Sequence, residues 1–402
     1  MSGTSYMEQE LRSQPDTWRE AARIGGADTP LPGAGERVAV VGCGTSWFMA
    51  QAYAALREGA GLGVTDAFAA SEAFLGADRG YDAVVAITRS GTTTEVLRLL
   101  EQVKGRIPTV TVLGDPDTPA TALSDATVTL PFADEQSVVQ TRFATTALAL
   151  LRAHLGEDLS GAVRDAEEAL TAPVEKEWLD AEQFSFLGTG WTYGLANEAA
   201  LKMREASQSW TESYPAMEYR HGPISIAAPG RVTWVFGPVP EGLEAEVART
   251  GAGFVRHGRD PLADLVLVQR IALERARARG LDPDNPRSLG HTVRAAVRAG
   301  THRAGGRTGR DTPCGRPYGP GHTVRVPPGS PGPAVPPPAL PHSHRPPPSA
   351  PPDRARRTRP AHEPPETAVS RVPRPMSRIP CSARESGPHA PRPHLVDRHR
   401  RP

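Results

Sequence analysis

The chain has 402 residues, 38% apolar and 23% charged, with a formal net charge of +1. That length suits two or three domains of roughly 150 residues, but the even charge hides two unlike segments. Residues 290–402 hold 26 of the 42 prolines, 9 of the 12 histidines, 20 Arg, no Lys and 6 acidic residues, a net +14 that leaves residues 1–289 at −13. An acidic main segment excludes a broad basic nucleic-acid surface, and three scattered cysteines exclude a disulfide framework or zinc ribbon. No run approaches the roughly 20 apolar residues of a membrane span. The start, MSGTSYMEQELRSQPDTW, has no apolar signal core, so a cytoplasmic location is expected.

Residues 6–24 read as an amphipathic helix, with Tyr6, Met7, Leu11, Trp18 and Ile24 set among charges, and 28–36 as a loop. Residues 1–35 are thus an N-terminal helix and loop. The run 38–41 (VAVV) ends in glycines, as a strand buried on both faces does. An Ala-rich helical stretch follows at 47–57. Further apolar runs stand at 83–87 (AVVAI), 109–113 (TVTVL) and, more weakly, 126–130, with helical patterns at 94–103 and 145–155 between and after them. Strands alternating with helices predict βαβ units and a parallel sheet over 36–156. Residues 157–179 form a linking helix broken at Pro173. The pattern then restarts at 184–187 (FSFL) and GTGWTYG. At an offset of 146, Gly42 matches Gly188, Gly44 matches Gly190, Ser46 matches Thr192 and Ala50 matches Ala196. Two similar α/β halves are expected, the second (180–289) shortened, because few clear strands separate 233–236 (TWVF) from the helix at 262–279. The tail, 290–402, cannot bury a core and is expected to be disordered or extended. It reads either as a basic interaction arm or as an out-of-frame translation of GC-rich DNA.

Three clusters carry chemistry. Cys43, Gly44, Thr45 and Ser46 lie between a strand and a helix, where glycines allow a tight turn and helix N–H groups welcome an anion. A plain loop would look the same. Thr88, Arg89, Ser90, Gly91, Thr92 and Thr93 follow the run AVVAI directly. One capping residue would serve a helix start; this many hydroxyls at the carboxyl end of a strand suit a phosphate monoester. Arg89 reads equally as a phosphate partner or a surface ion pair. In the third cluster Glu198, Lys202 and Glu205 fall at i, i+4, i+7 on one helix face, followed by His221-Gly-Pro. An exposed ion-pair stripe and a functional cluster are both open.

Together these clusters resemble the sugar isomerase (SIS) domain family. The layout is similar to the isomerase half of the glutamine–fructose-6-phosphate transaminases and to the amino-sugar-phosphate deaminase/isomerase branch. The resemblance rests on CGTS (43–46), ASEAF (70–74), TRSGTTTE (88–95), EQSVVQTRFATT (135–146), EAALKMREASQSWTESYPAMEYRHGP (198–223) and DPDNPRS (282–288). It implies two flavodoxin-like three-layer αβα subdomains and a homodimer with its active sites at the subunit interface. By position it implies Cys43, Gly44, Thr45, Ser46, Thr88, Arg89, Ser90, Gly91 and Thr93 as the phosphate cradle. Gln140 and Thr141 fall on the third substrate loop. Glu205 matches the proton-transfer base, Glu198 and Lys202 its polar neighbours, and His221 the ring-opening residue reaching across from the partner subunit. Arg89 stands where the transaminase has Gln, as in the deaminase/isomerase branch. No Cys follows Met1, and no Lys follows DPDNPRS. Glutamine-dependent transfer is therefore not expected.

The expected function is a phosphosugar-processing enzyme: an aldose–ketose isomerase or deaminase acting on a hexose or hexosamine 6-phosphate. A carboxylate beside C1 and C2 of the open sugar can shuttle a proton between them, and an imidazole can exchange the ring-oxygen proton near neutral pH. Neither step calls for a metal or a redox cofactor. The alternatives are a lyase or dehydratase working by β-elimination and a non-catalytic phosphosugar-binding regulator.

Overall fold

The computed structural model describes residues 4–26 and 28–289; the Pro/Arg-rich tail lies outside the described residues. The N-terminal segment forms two helices, not the single one expected: α1 (Tyr6–Arg12) and α2 (Gln14–Ile24). Pro15 explains the break, because it has no N–H to give the Leu11 carbonyl one turn back. The side chain of Gln14 supplies that bond instead, at 3.2 Å.

The first sheet is built from β1 (Val38–Gly42), β2 (Thr65–Ala69), β3 (Ala83–Thr88), β4 (Thr109–Leu113) and β5 (Ala126–Thr129), all parallel, in the order β2-β1-β3-β4-β5. Its helices are α3 (Thr45–Gly59), α4 (Thr94–Val103), the short α5 (Pro119–Leu123) and α6 (Arg142–His154). The link is α7 (Ser160–Thr171) and α8 (Lys176–Asp180), parted around Pro173 as expected. The second sheet contains β6 (Gln183–Gly188), β7 (Trp210–Pro215), β8 (Arg231–Phe236) and β9 (Gly253–Arg256), again parallel, in the order β7-β6-β8-β9. Helices α9 (Thr192–Ser207), α10 (Leu243–Ala248) and α11 (Pro261–Ala278) accompany it. The second sheet thus repeats the first four positions of the first and stops one strand short.

Strand alternation sets the layers. Val38 and Val40 of β1 point into a central core shared with Met49 and Tyr53 of α3, Phe143 of α6, Ala196 and Ala199 of α9, and Leu265 of α11. Ala39 and Val41 point the other way, onto Val96, Leu99 and Leu100 of α4. In the second half Phe184, Phe186 and Trp234 face the same central core, while Leu187 and Val235 face Tyr219, Leu243 and Val247. Each sheet is therefore the middle of a three-layer αβα sandwich, and the inner layers merge.

The merging depends on one close crossing. A Cβ at Gly194 of α9 would stand 2.5 Å from the Phe48 carbonyl oxygen and 2.9 Å from the Ala52 nitrogen of α3. No larger residue lets these helices approach so nearly. Gln51 and Asn197, themselves 146 residues apart, hydrogen-bond across the crossing at 2.8 Å. The helices run antiparallel, so the later turns of α9 lie over the start of α3, at the carboxyl end of β1. No helix of the described residues is long and apolar enough to cross a membrane.

Candidate active site

The two hydroxyl-rich turns sit at adjacent strand ends, because β1 and β3 are hydrogen-bonded neighbours. The first turn is tight: a Cβ on Gly42 would be 2.6 Å from the Ser46 backbone, and Gly44 takes φ +54°. Thr45 and Ser46 begin α3 with both side chains buried. Cys43 is no nucleophile there, since burial, assisted by the charge of Glu95, pushes its thiol up to about 11.

In the second turn the Thr88 and Thr93 hydroxyls are 3.4 Å apart, and Ser90 Oγ accepts from the Thr92 amide at 3.3 Å and its hydroxyl at 3.0 Å. Gly91 takes φ +57° with no room for a side chain, a Cβ falling 2.0 Å from Thr118 Oγ1. No side chain caps the start of α4, and Thr94 Oγ1 is buried without a partner. Among the described residues Arg89, read from the sequence as a phosphate partner or a surface ion pair, makes no ion pair. Its guanidinium donates to the carbonyls of Glu135 (2.5 Å) and Ser137 (3.3 Å), fastening this turn to the 135–141 loop.

Glu198, Lys202 and Glu205 do share a face of α9, but not an exposed stripe. Glu198 and Lys202 are fully buried, and Glu205 retains 18% of its side-chain exposure. The Lys202 ammonium donates to Glu205 Oε2 and stands 3.5 Å from Glu198 Oε1. Glu198 lies beside Thr45 of the first turn, and burial pushes its carboxyl up to about 8 even with Lys202 opposing. Burial alone would lower the Lys202 pKa; Glu198 and Glu205, with the field of Glu135, outweigh it and hold the ammonium charged. The free side of Glu205 faces a cavity of about 280 Å³ lined also by Gln208, Asp282, Asn285 and Arg287. Thr45, Glu198, Lys202 and Glu205 thus stand next to one another from the first turn to the partly exposed Glu205, although neither Glu198 oxygen has a hydrogen-bond partner among the described residues.

The remaining expected residues divide. Gln140 Oε1 is buried and has no partner among the described residues. Thr141 is fully buried, and its hydroxyl donates to Glu135 at 3.0 Å. His221 is exposed in a short turn after β7, and Ala216, just before that turn, bonds the end of β6 at Gly188. This is the end from which α9 starts. Glu205 lies 13 residues along that helix, roughly 20 Å away at 1.5 Å per residue, so one subunit does not unite His221 with Glu205. Sequence reasoning missed Glu135, whose charge reaches Lys202 and whose Oε1 accepts from the Thr141 and Arg142 amides at 2.6 and 2.8 Å. It also missed Asp284 in DPDNPRS, whose carboxylate caps α1 at the Tyr6 and Met7 amides, 2.9 and 2.8 Å away. A lone acid in a loop gives no periodic signal.

The strand order and the paired sheets match solved proteins. Glucosamine-6-phosphate deaminase from Thermotoga maritima superposes with a TM-score of 0.62 at 24% identity, over 72% of this chain and 99% of that one. Tagatose-6-phosphate ketose/aldose isomerase from Escherichia coli gives 0.58 at 17% identity, over 71% and 97%. The chain has the sugar isomerase (SIS) fold. In sequence this SIS-fold chain is similar to isomerizing glutamine–fructose-6-phosphate aminotransferases. It is 28% identical over 359 residues to that of Xanthomonas campestris pv. campestris, and 28% over 294 residues to that of Sulfurisphaera tokodaii. The matches take in 72% and 64% of this chain but 58% and 50% of those relatives, so the chain spans little more than half their length. No family model matches the chain.

Proposed function

We propose that the chain is a phosphosugar isomerase or deaminase acting on a hexose or hexosamine 6-phosphate, with Glu205 moving the proton. The observation that carries this is the series Thr45–Glu198–Lys202–Glu205, which joins an anion-suited turn to a half-open carboxylate. The phosphate monoester takes the helix-start amides and the hydroxyls of Ser46, Thr88, Ser90 and Thr93. The sugar extends past Gln140 toward Glu205. There the carboxylate transfers a proton between C1 and C2 through an enediol or, for an amino sugar, an enamine. Lys202 orients Glu205 and stands between it and the carboxyl of Glu198. Phosphate binding remote from the reacting carbons positions them for the transfer. A second copy of the chain supplies His221 for ring opening, since its own subunit holds that residue at the far end of α9.

A thermal-shift screen of hexose and hexosamine 6-phosphates, followed by product NMR, tests this reading. A 6-phosphate that stabilises the protein and is isomerised or deaminated supports it; loss of the 3-hydroxyl would assign the elimination reaction instead. Glu205→Gln is expected to bind the same ligand while turnover falls by about 10²–10⁴. A variant that turns over like the wild type, or a screen with no shift, would refute it.

A further inference from the structure

We propose that Glu10, on the N-terminal helix, is a positioning residue for the 135–141 loop and hence for Gln140, an inference that rests on the function proposed above. Glu10 is 3% exposed, and its Oε1 accepts from two successive loop amides, Gln136 at 2.6 Å and Ser137 at 3.2 Å. Further along, the Val138 amide donates to the Asp284 carbonyl at 3.2 Å and the Val139 amide to Ser137 Oγ at 3.2 Å. Glu135 closes the far end at the Thr141 and Arg142 amides. Arg89, from the phosphate turn, takes the carbonyls of Glu135 and Ser137. The loop is thereby held from the N-terminal helix, the C-terminal motif and the phosphate turn at once, and the Gln140 side chain is left with an unused acceptor.

Stability alone does not account for a carboxylate at this place. Burying an acid is costly unless it is well paired, and among the described residues no cation is bonded to Glu10 and its Oε2 has no partner. Glu135, likewise with a bare Oε2 among those residues, is close enough to act on it. Burial and that charge together push the Glu10 carboxyl up. What the carboxylate achieves is a fixed backbone next to Glu135, whose charge reaches Lys202. A loop already ordered loses less entropy when ligand arrives. Glu10 itself is placed by Met7 and Leu11, which anchor α1 in the central core, and by the Asp284 cap.

The test uses the full chain as wild type, Glu10→Met, which fills the space without an acceptor, and Glu10→Gln, which keeps Oε1. Hydrogen exchange is read over residues 135–142, and calorimetry reads binding of inorganic phosphate and of fructose 6-phosphate. Glu10→Met is expected to exchange faster across the loop and to bind fructose 6-phosphate on the order of tenfold more weakly, with inorganic phosphate within about twofold of wild type. Glu10→Gln is expected to restore both. Wild-type exchange and binding in Glu10→Met would overturn the proposal, as would equal weakening of the two ligands. So would a folded Glu10→Gln whose loop exchanges faster than wild type and whose fructose 6-phosphate binding falls about tenfold, a comparison with wild type that stands even if the Met variant does not fold. If wild type binds neither probe, the function proposed above fails on its own, and the exchange comparison alone decides whether Glu10 holds the loop.

Discussion

Glu198→Gln should make the protein less sensitive to rising pH. The carboxyl ionises at 4.5 in an unfolded chain and at about 8 in its buried place beside Lys202. Its folded pKa is therefore raised, so its contribution to stability is fully present below pH 4.5 and is lost as pH rises through 8. Within that window the unfolded state releases a proton that the native state retains. Each pH unit costs about 1.4 kcal/mol, and two units, from pH 5.5 to 7.5, cost on the order of 3 kcal/mol. Gln has the shape of the neutral acid and no proton to release, so the variant escapes this cost. At roughly 2–4 °C per kcal/mol for a unit of this size, the wild-type melting temperature should fall by roughly 6–12 °C relative to the variant over the interval. Other titrating groups are common to both proteins and cancel in the difference. Scanning calorimetry at the two pH values measures it. Melting temperatures that move in parallel would show that Glu198 is ionised in the folded protein and that the buried cluster is wrongly described.

Gly194→Ala should open the α3–α9 crossing. Overpacking of about 1–3 kcal/mol, offset by about 1 kcal/mol of helix propensity, predicts a lower urea midpoint together with weaker turnover. Gly91→Ala meets both a left-handed backbone, worth about 1–2 kcal/mol, and the Thr118 hydroxyl; binding of inorganic phosphate, read by calorimetry, should drop sharply. Asp284→Ala removes the acceptors of the Tyr6 and Met7 amides while the Ser5 cap stays, and should cost about 1 kcal/mol in denaturant titrations, with faster amide exchange at Tyr6 and Met7.

The central strands were legible because burial on both faces demands continuous apolar residues, as in 38–41, 83–87, 109–113 and 184–187. Three of the four outer strands were not, 126–130 having been read only weakly. β2 (TDAFA) and β7 (WTESYP) lie at sheet edges with much of their length partly exposed, so polar residues interrupt the run on which recognition depends. β9, four residues long, ends the second sheet and was hidden by Gly253. The turns of the candidate site could be placed, since a Gly-rich break after an apolar strand has a fixed position in a parallel sheet. The depth of Glu198 and Lys202 could not, because i, i+4 spacing is the same on a wet face and a dry one. What made it dry is Gly194, a single residue whose meaning depends on which helix crosses it. Arg89 makes a further tie that no spacing reveals: its guanidinium holds two carbonyls 46 and 48 residues downstream.

Because α9 reaches over α3, the turn at Thr45 and the acid at Glu198 meet although they belong to different sheets. Cleaving the chain between α7 and α8 would give one fragment with the hydroxyl-lined turns and another with the carboxylates. Each would expose a broad oily flank where the common interior had been. Neither piece should stay dispersed or retain activity alone, and any recovery on mixing would mean the severed parts had found each other through the glycine groove.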